Sequence, residues 1–319
     1  MRTKEKVLAR LEEQRGQYLS GADLARGLAV SRNAVWKAVG ELKKDGHDIE
    51  AVTNKGYCLS PQSDVLSLSG LLPYLPKGQD WTHKIHIAPV LASTNQTAKD
   101  MAHAGAPHGT TVIAGYQTDG RGRYARVFAS PPGGLYMSFV LRPEQMAWPP
   151  AMTTIFAAAA VCQAVEALTG KQPQIKWVND IFLDSKKIGG ILTEAVADFE
   201  TQSYQWVVLG IGLNFRVAED MFPRALREIA GTVYQPGEGT VTQNQMLGAL
   251  ASRIFVPEGE KADSIEAYRR RLMGLGKPIT VQGEVPYTAT MLGVTDQGHL
   301  LVRRADGTEE AISFGEILL

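Results

Sequence analysis

The sequence of 319 residues has little cysteine and no excess of charge. Cys58 and Cys162 are too few for a disulfide framework or a cysteine-rich zinc cluster. The 33 basic and 33 acidic residues cancel, so no global field attracts nucleic acid and any such site must be local. The charged N-terminal segment lacks the apolar stretch of a signal peptide. We therefore expect a cytoplasmic protein in a reducing compartment.

Long hydrophobic runs are also scarce. The run 153–168 is short for a membrane span, rich in alanine, and interrupted by Gln163 and Glu166. It predicts a buried helix, with no membrane contact. A chain of this length usually forms two or three domains, and a hydrophobic content of 44% excludes wholesale disorder.

The first sixty residues predict a winged helix-turn-helix. Residues 4–15 have apolar side chains at helical spacing, and a short helix fits 21–28. Ser31 is a good N-cap for a longer helix. Two short strands around residues 54–56 follow, and they predict a hairpin in the position of a wing.

Charge supports DNA binding by this segment. Residues 2–60 contain eleven Lys and Arg against eight acids, and three of these cations fall within 32–43 of the third helix. A solvated helix face would also explain the charge, but the order of the elements favours DNA binding. The predicted DNA-binding residues are Ser31, Arg32, Asn33, Trp36 and Lys37.

The rest of the chain predicts two further domains. Strands alternate with helices over 65–272, as in a mixed α/β domain with a large sheet. Residues 273–319 form several short strands separated by Gly and Asp-Gly turns, which predicts a small β-barrel. With 1–62 as the DNA-binding domain, the fold class is α+β.

The motif Gly120-Arg121-Gly122-Arg123 predicts an anion-binding loop. Glycine lets the backbone approach a ligand, and the arginine fork matches a carboxylate or phosphate. A surface loop with scattered arginines remains the alternative for this motif alone. No Gly-Lys-Ser/Thr follows, and the spacing differs from a dinucleotide fingerprint.

Two other segments carry candidate site residues. Asn179 and Asp180 lie at a predicted strand end, and Lys187 precedes a glycine-bearing strand that allows close approach of a ligand. A hairpin with a solvated lysine is the alternative. Ser93 and Thr94 begin a helix, where they cap it or bind a neutral polar group.

Taken together, the motifs indicate a family. The segments ASTNQ, YQTDGRGR, KWVNDI, KKIGGIL and GIGLN, in this order, resemble the biotin–protein ligases. The N-terminal helix-turn-helix makes the chain similar to the longer, bifunctional members that also repress biotin genes. A lipoate ligase shares the fold but would have a different arginine-glycine signature.

The resemblance implies a fold and a reaction. The central domain is expected to be class II synthetase-like and the C-terminal domain SH3-like. ATP, Mg²⁺ and biotin would give biotinyl-5′-AMP, and biotin would pass to a lysine of a biotin carboxyl carrier protein domain. Operator DNA of biotin genes and a second copy of the chain, as a homodimer, are the other expected partners. A ligand-sensing regulator without ligase activity is the competing hypothesis.

The resemblance also assigns residues. The biotin-binding set is Ser93, Thr94, Asn95, Gln117, Gly120, Arg121, Gly122, Arg123, Lys187 and Gly190. The adenine and ATP set is Asn179, Asn214 and Arg121, and the catalytic set is Arg123, Lys187 and Asp180. No metal-ligand set in the protein is predicted.

The sequence departs from the family pattern at two places. The family loop continues Gly-Arg-x-Gly-Arg-x-Trp, whereas here Ala125 replaces the second glycine and Phe128 or Ala129 replaces the tryptophan. Family members also carry a further C-terminal arginine near ATP, which Arg303 or Arg304 is expected to replace.

Overall fold

The computed structural model describes residues 2–198, 203–255 and 264–319 and divides the chain into two compact units. Unit one comprises 1–83 and 238–252, and unit two comprises 84–237 and 253–319. The helices are α1 Thr3–Glu13, α2 Gly21–Gly27, α3 Arg32–Lys44, α4 Leu68–Leu71, α5 Thr94–His103, α6 Thr153–Thr169, α7 Gln243–Ile254 and α8 Ser264–Arg270. The strands are β1 Ile49–Val52, β2 Gly56–Leu59, β3 Ile85–Ala88, β4 Thr111–Ala114, β5 Leu135–Leu141, β6 Gln174–Lys176, β7 Asp180–Leu183, β8 Lys186–Asp198, β9 Ser203–Leu213, β10 Pro278–Gln282, β11 Tyr287–Val294, β12 Leu300–Arg304, β13 Glu309–Ile312 and β14 Glu316–Leu318.

Unit one contains the predicted winged helix-turn-helix. Helix α3 begins directly after Ser31, whose side chain accepts a hydrogen bond from Ala34 N at 3.1 Å. The apolar faces of α1, α2 and α3 form one buried cluster with the β1–β2 hairpin. Burial of these faces stabilises the three helices, which are too short to be stable in isolation. The predicted order of elements is confirmed.

Residues 60–67, the linker that follows the winged helix-turn-helix, are held by polar contacts within unit one. The Arg15 guanidinium donates to Ser60 O at 2.8 Å and to Ser63 O at 2.7 Å. Asn244 of α7 donates through Nδ2 to Val65 O at 2.9 Å. Helix α7, which the sequence reasoning did not identify, thus belongs with this linker although about 180 residues separate them.

Unit two is built on a seven-stranded mixed sheet of order β3-β4-β5-β9-β8-β7-β6. Strands β3 and β4 are parallel and the other neighbours are antiparallel. Helix α5 packs on β4, β5 and β9, and α6 packs on β8 and β9. The predicted mixed-sheet domain is confirmed.

The apolar segment Pro150–Thr169 is long and apolar enough to cross a membrane, by length and composition only. However, 61% of its most apolar window is buried inside the protein, as in the core helix of many globular proteins. Helix α6 provides much of the core under β8 and β9.

The C-terminal segment forms a five-stranded antiparallel sheet of order β13-β12-β11-β10-β14, as expected for the small β domain. It belongs to unit two. Trp177 Nε1 donates to Gly298 O at 3.2 Å, and this bond joins the turn before β7 to the C-terminal sheet. Strand β14 thereby comes close to the segments that carry the candidate site.

Candidate active site

One cleft in unit two brings together most of the predicted site residues. The predicted residues that line it are Ser93, Thr94, Asn95, Gln117, Arg121, Gly122, Arg123, Asn179, Asp180, Lys187 and Gly190. Among the described residues, predicted Gly120 and Asn214 are not part of the lining. Strand register explains the grouping, because Asp180 lies opposite Gly190, and Gly190 lies opposite Gly212.

Ser93, Thr94 and Gln117 form a neutral end of the cleft, which we call the head-group end. Ser93 caps α5 by accepting Gln96 N–H at 3.4 Å, and this role leaves its hydroxyl proton available. Gln117 Oε1 accepts Thr94 N at 2.8 Å and Thr94 Oγ1 at 3.1 Å. Gln117 Nε2 donates to Ser130 Oγ at 2.8 Å, which leaves one amide N–H for a ligand.

Arg123, Asn179, Asp180 and Lys187 form the charged end of the cleft. Lys187 Nζ lies 2.7 Å from Asp180 Oδ1. The Arg123 guanidinium donates through Nη1 to Asn179 Oδ1 at 3.2 Å and through Nη2 to Gly315 O at 3.0 Å. These bonds hold the cation in place before any anion arrives.

The charges of the lining are unbalanced. Its described cations are Arg121, Arg123, Arg126, Lys176 and Lys187, and its described carboxylates are Asp180 and Glu316. This excess of positive charge favours an anionic ligand such as a carboxylate or a phosphate. No group of three His, Cys, Asp or Glu side chains in the described part of the chain could hold a metal ion.

The arginine-glycine loop differs from the sequence expectation in its backbone. Gly120 is required by packing, since a Cβ there would lie 2.4 Å from Phe128 O. Gly122 has an ordinary φ of −117°. The left-handed conformation falls instead on Tyr124 and Ala125, with φ of 56° and 55°. Ala125, which replaces the family glycine, therefore adopts a backbone that glycine adopts more readily.

Phe128, one of the two residues that can align with the family tryptophan, packs against the sheet. A Cβ on Gly212 would lie 2.5 Å from Phe128 Cε1, and one on Gly190 would lie 3.4 Å from Cε2. The ring therefore rests on these two glycines of β8 and β9. Ala129, the other residue that can align there, is absent from the described lining of the cleft.

The C-terminal sheet contributes to the cleft through Glu316. Its carboxylate lies 2.7 Å from Arg126 Nη1, and the hydrogen bond from Arg126 lowers the pKa of Glu316. Arg303 and Arg304, the expected replacements for the family's C-terminal arginine, instead pair with Glu309 and Glu310 on strand β13. Neither arginine belongs to the described lining of the cleft.

Asn214 lies behind Lys187. Its Nδ2 donates to Gly231 O at 2.9 Å, and its backbone N donates to Ile188 O at 2.7 Å. Its Oδ1 is buried and has no hydrogen-bond partner among the described residues. A buried acceptor without a donor is costly, so this oxygen is an exception among the buried polar atoms of the described residues.

The predicted DNA-binding residues lie on the outer face of α3. Ser31, Arg32, Asn33, Trp36 and Lys37 are all exposed, and Trp36 is 65% exposed. The opposite face of the helix is buried through Val35, Ala38, Val39 and Leu42. An indole so exposed beside basic side chains suits a surface that meets another molecule.

Sequence reasoning missed several lining residues. Lys176 and Trp177 lie inside the quoted KWVNDI segment but received no role, and Arg126, which follows the arginine-glycine motif, received none either. Ser138, which lies outside the described lining and contacts Thr94 from behind, had a clear signal, because it is the one hydroxyl residue inside the apolar strand β5 apart from Tyr136. Glu316 had no signal in the sequence, since its position in the cleft depends on the docking of the C-terminal sheet.

An N-terminal winged helix-turn-helix and an α/β unit with an electropositive cleft indicate a DNA-binding protein that also takes an anionic ligand. The chain matches the biotin/lipoate A/B protein ligase family over residues 87–214, an HTH domain over 3–58 and the biotin protein ligase C-terminal domain over 274–319. It is 36% identical to the bifunctional ligase/repressor BirA of Bacillus subtilis, covering 98% of this chain and 97% of that protein. The Escherichia coli BirA is 28% identical over 95% of this chain and 94% of its own length.

A solved structure supports the same assignment. The biotin protein ligase from Aquifex aeolicus in complex with biotin and ATP has a TM-score of 0.62 at 25% identity, covering 74% of this chain and 97% of that one. The chain therefore belongs to the biotin protein ligase family, in the bifunctional ligase/repressor group. Neither a lipoate ligase nor a regulator without ligase activity is favoured.

Proposed function

We propose that this protein is an AMP-forming biotin–protein ligase that also represses biotin genes. The observation that carries the proposal is one cleft with a neutral hydrogen-bonding end and a cationic end. Biotin has the same polarity, with a neutral ureido ring at one end and a carboxylate at the other. Ser93, Thr94 and Gln117 offer donors and acceptors to the ureido ring.

The first step joins biotin to ATP. A carboxylate oxygen of biotin attacks the α-phosphorus, the bond to the β-phosphate oxygen breaks, and pyrophosphate leaves. Two anions must approach each other, and Arg123 and Lys187 offset their repulsion while they stabilise the charge of the transition state. Mg²⁺ brought by the ATP phosphates would screen further phosphate charge, and Asp180 is proposed to lie near it. The loop that covers the anhydride would exclude water.

The second step transfers biotin to protein. The amine of a carrier-domain lysine attacks the carbonyl carbon of biotinyl-5′-AMP, an amide forms, and AMP leaves. Asp180 is proposed to lie near the incoming lysine. Asn179, which lines the cleft, and Asn214, which lies next to it, are proposed for the adenine side of the site. Arg121 is proposed as a further phosphate contact.

The DNA-binding half is proposed to respond to the same intermediate. Biotinyl-5′-AMP would act as corepressor by favouring a homodimer, and a symmetric dimer matches a palindromic operator. The adenylate can shift this equilibrium only through a higher affinity for the dimer-competent state. We propose residues 1–62, 65–272 and 273–319 as the functional domains. We also propose that the protein is cytoplasmic.

Mass spectrometry of a biotin carrier domain tests the ligase. After incubation with this protein, biotin and MgATP, the carrier should gain one biotinyl group, and it should gain none without ATP. Pyrophosphate exchange without the carrier isolates the first step. An unmodified carrier together with tight biotin binding would favour the regulator without ligase activity.

A mobility-shift titration at fixed salt tests the repressor. Binding to a biotin-gene promoter should tighten when biotin and ATP are both present. Deletion of residues 1–60 should abolish DNA binding and leave some ligation. If the full-length protein binds no such promoter under either condition, the proposed repressor function is refuted and only the ligase function stands.

A further inference from the structure

Behind the head-group end lies a chain of polar side chains that begins at the half-buried Glu194 and continues through buried residues. It runs from Glu194 on β8 through Asn95 on α5 and Ser138 on β5 to Thr94, and thence to Gln117. Ser138 has no exposed surface, and Thr94 and Asn95 are 4% and 5% exposed. Polar groups this deeply buried must satisfy one another, so the direction of each bond is constrained.

The Asn95 amide has a fixed orientation. Its Nδ2 donates to Glu194 Oε2 at 2.9 Å and to Leu192 O at 3.3 Å, and both oxygens can only accept. Its Oδ1 must therefore face away from them, toward Ser138 Oγ at 2.6 Å. Gly210 leaves room for this amide, since a Cβ there would lie 2.0 Å from Asn95 Oδ1. Lys99 Nζ holds the far side of Glu194 at 2.7 Å.

The Ser138 hydroxyl determines the direction in which the Thr94 hydroxyl donates its hydrogen bond. Ser138 Oγ lies 2.6 Å from Asn95 Oδ1 and 2.8 Å from Thr94 Oγ1, but it has one proton to donate. Among the described residues, Ser138 is the donor that satisfies Asn95 Oδ1, so its proton goes there. The Thr94 proton points inward to Ser138 or Gln117, and the Thr94 oxygen keeps a lone pair for the cleft.

We propose that Ser138 and Glu194 are positioning residues that fix the Asn95 amide and so keep the Thr94 oxygen free to accept a hydrogen bond from a ureido N–H of biotin. The inference rests on the proposed binding of biotin in this cleft. Neither residue touches the ligand in this scheme. Both act on recognition of the ring and not on the carboxylate or on ATP.

Calorimetric titration of the full chain with biotin tests the proposal. Ser138→Ala removes the donor to Asn95 Oδ1 and should weaken the Kd for biotin about tenfold. Glu194→Leu removes an acceptor that orients Asn95 and should weaken the Kd in the same direction. Glu194→Gln keeps an acceptor oxygen and should bind biotin nearly as the wild type does. Glu309→Ala, at an exposed ion pair on the C-terminal sheet, is the control for loss of a surface carboxylate.

Kinetics separate positioning from a general structural role. The KM for biotin should rise in Ser138→Ala and Glu194→Leu, while the KM for ATP and kcat at saturating biotin stay near wild type. Equal damage to both KM values would overturn the proposal, as would a wild-type Kd for biotin in both variants. If Ser138→Ala does not fold, the comparison of Glu194→Leu with Glu194→Gln still tests the proposal. Equal Kd values for biotin in these two variants would contradict the role of Glu194 as an acceptor for Asn95. A wild-type chain that binds no biotin would instead refute the proposed function itself.

Discussion

Replacement of Arg123 by alanine should slow formation of the adenylate by two to three orders of magnitude. In the structure the guanidinium is half-buried and already held by Asn179 Oδ1 and Gly315 O, so it needs little rearrangement to meet an anion. Removal of such a preorganised donor costs about 3–4 kcal/mol of transition-state stabilisation, which corresponds to roughly 100- to 1,000-fold in rate.

The same substitution should affect stability much less. Asn179 Oδ1 and Gly315 O each lose a donor, but both lie at an open cleft where water can replace it. We expect a loss of about 1–2 kcal/mol in the free energy of unfolding, in line with two ordinary hydrogen bonds. The variant should therefore remain folded at 25 °C, and its melting curve provides the control.

Pyrophosphate exchange at saturating biotin and ATP is the appropriate assay, because it needs no carrier domain. Arg126→Ala is the matched comparison, since Arg126 belongs to the same loop but is exposed and paired with Glu316. It should lower the exchange rate only a few-fold, as expected for an exposed ion pair. An Arg123→Ala rate close to wild type, or equal losses in the two variants, would refute the role assigned to Arg123.

Three further outcomes are expected. Lys187→Ala should weaken biotin binding and slow activation. Lys187→Arg should restore activity only in part, because a planar guanidinium differs in shape from the ammonium that pairs with Asp180. Wild-type turnover in the alanine variant would contradict this role. Burial lowers the pKa of His47 below its usual 6.5, so this histidine costs no folding free energy above pH 6.5 and destabilises the fold as the pH falls below it. His47→Gln should therefore make the melting temperature depend less on pH between about pH 7.5 and 5. Lys37→Ala should weaken operator binding and reduce the slope of log affinity against log salt by about one, as measured by mobility shift.

The sequence by itself determined the elements that depend on neighbouring residues. The Ser31 cap predicted a longer helix after it, and the structure has helix α3 beginning directly after Ser31. Periodicity and capping act within a few residues, so they can be read along the chain. The order of the short motifs was likewise sufficient to indicate the family.

Only the tertiary structure decided which distant residues share the cleft. Phe128 rests on Gly190 and Gly212, and Glu316 reaches Arg126 across 190 positions of sequence. Likewise, no local pattern relates Ser138 to Asn95, although their bond orders the head-group end. Such contacts follow from strand register and from the docking of the C-terminal sheet, and these are set by packing of the whole unit and not by the residues adjacent in the chain.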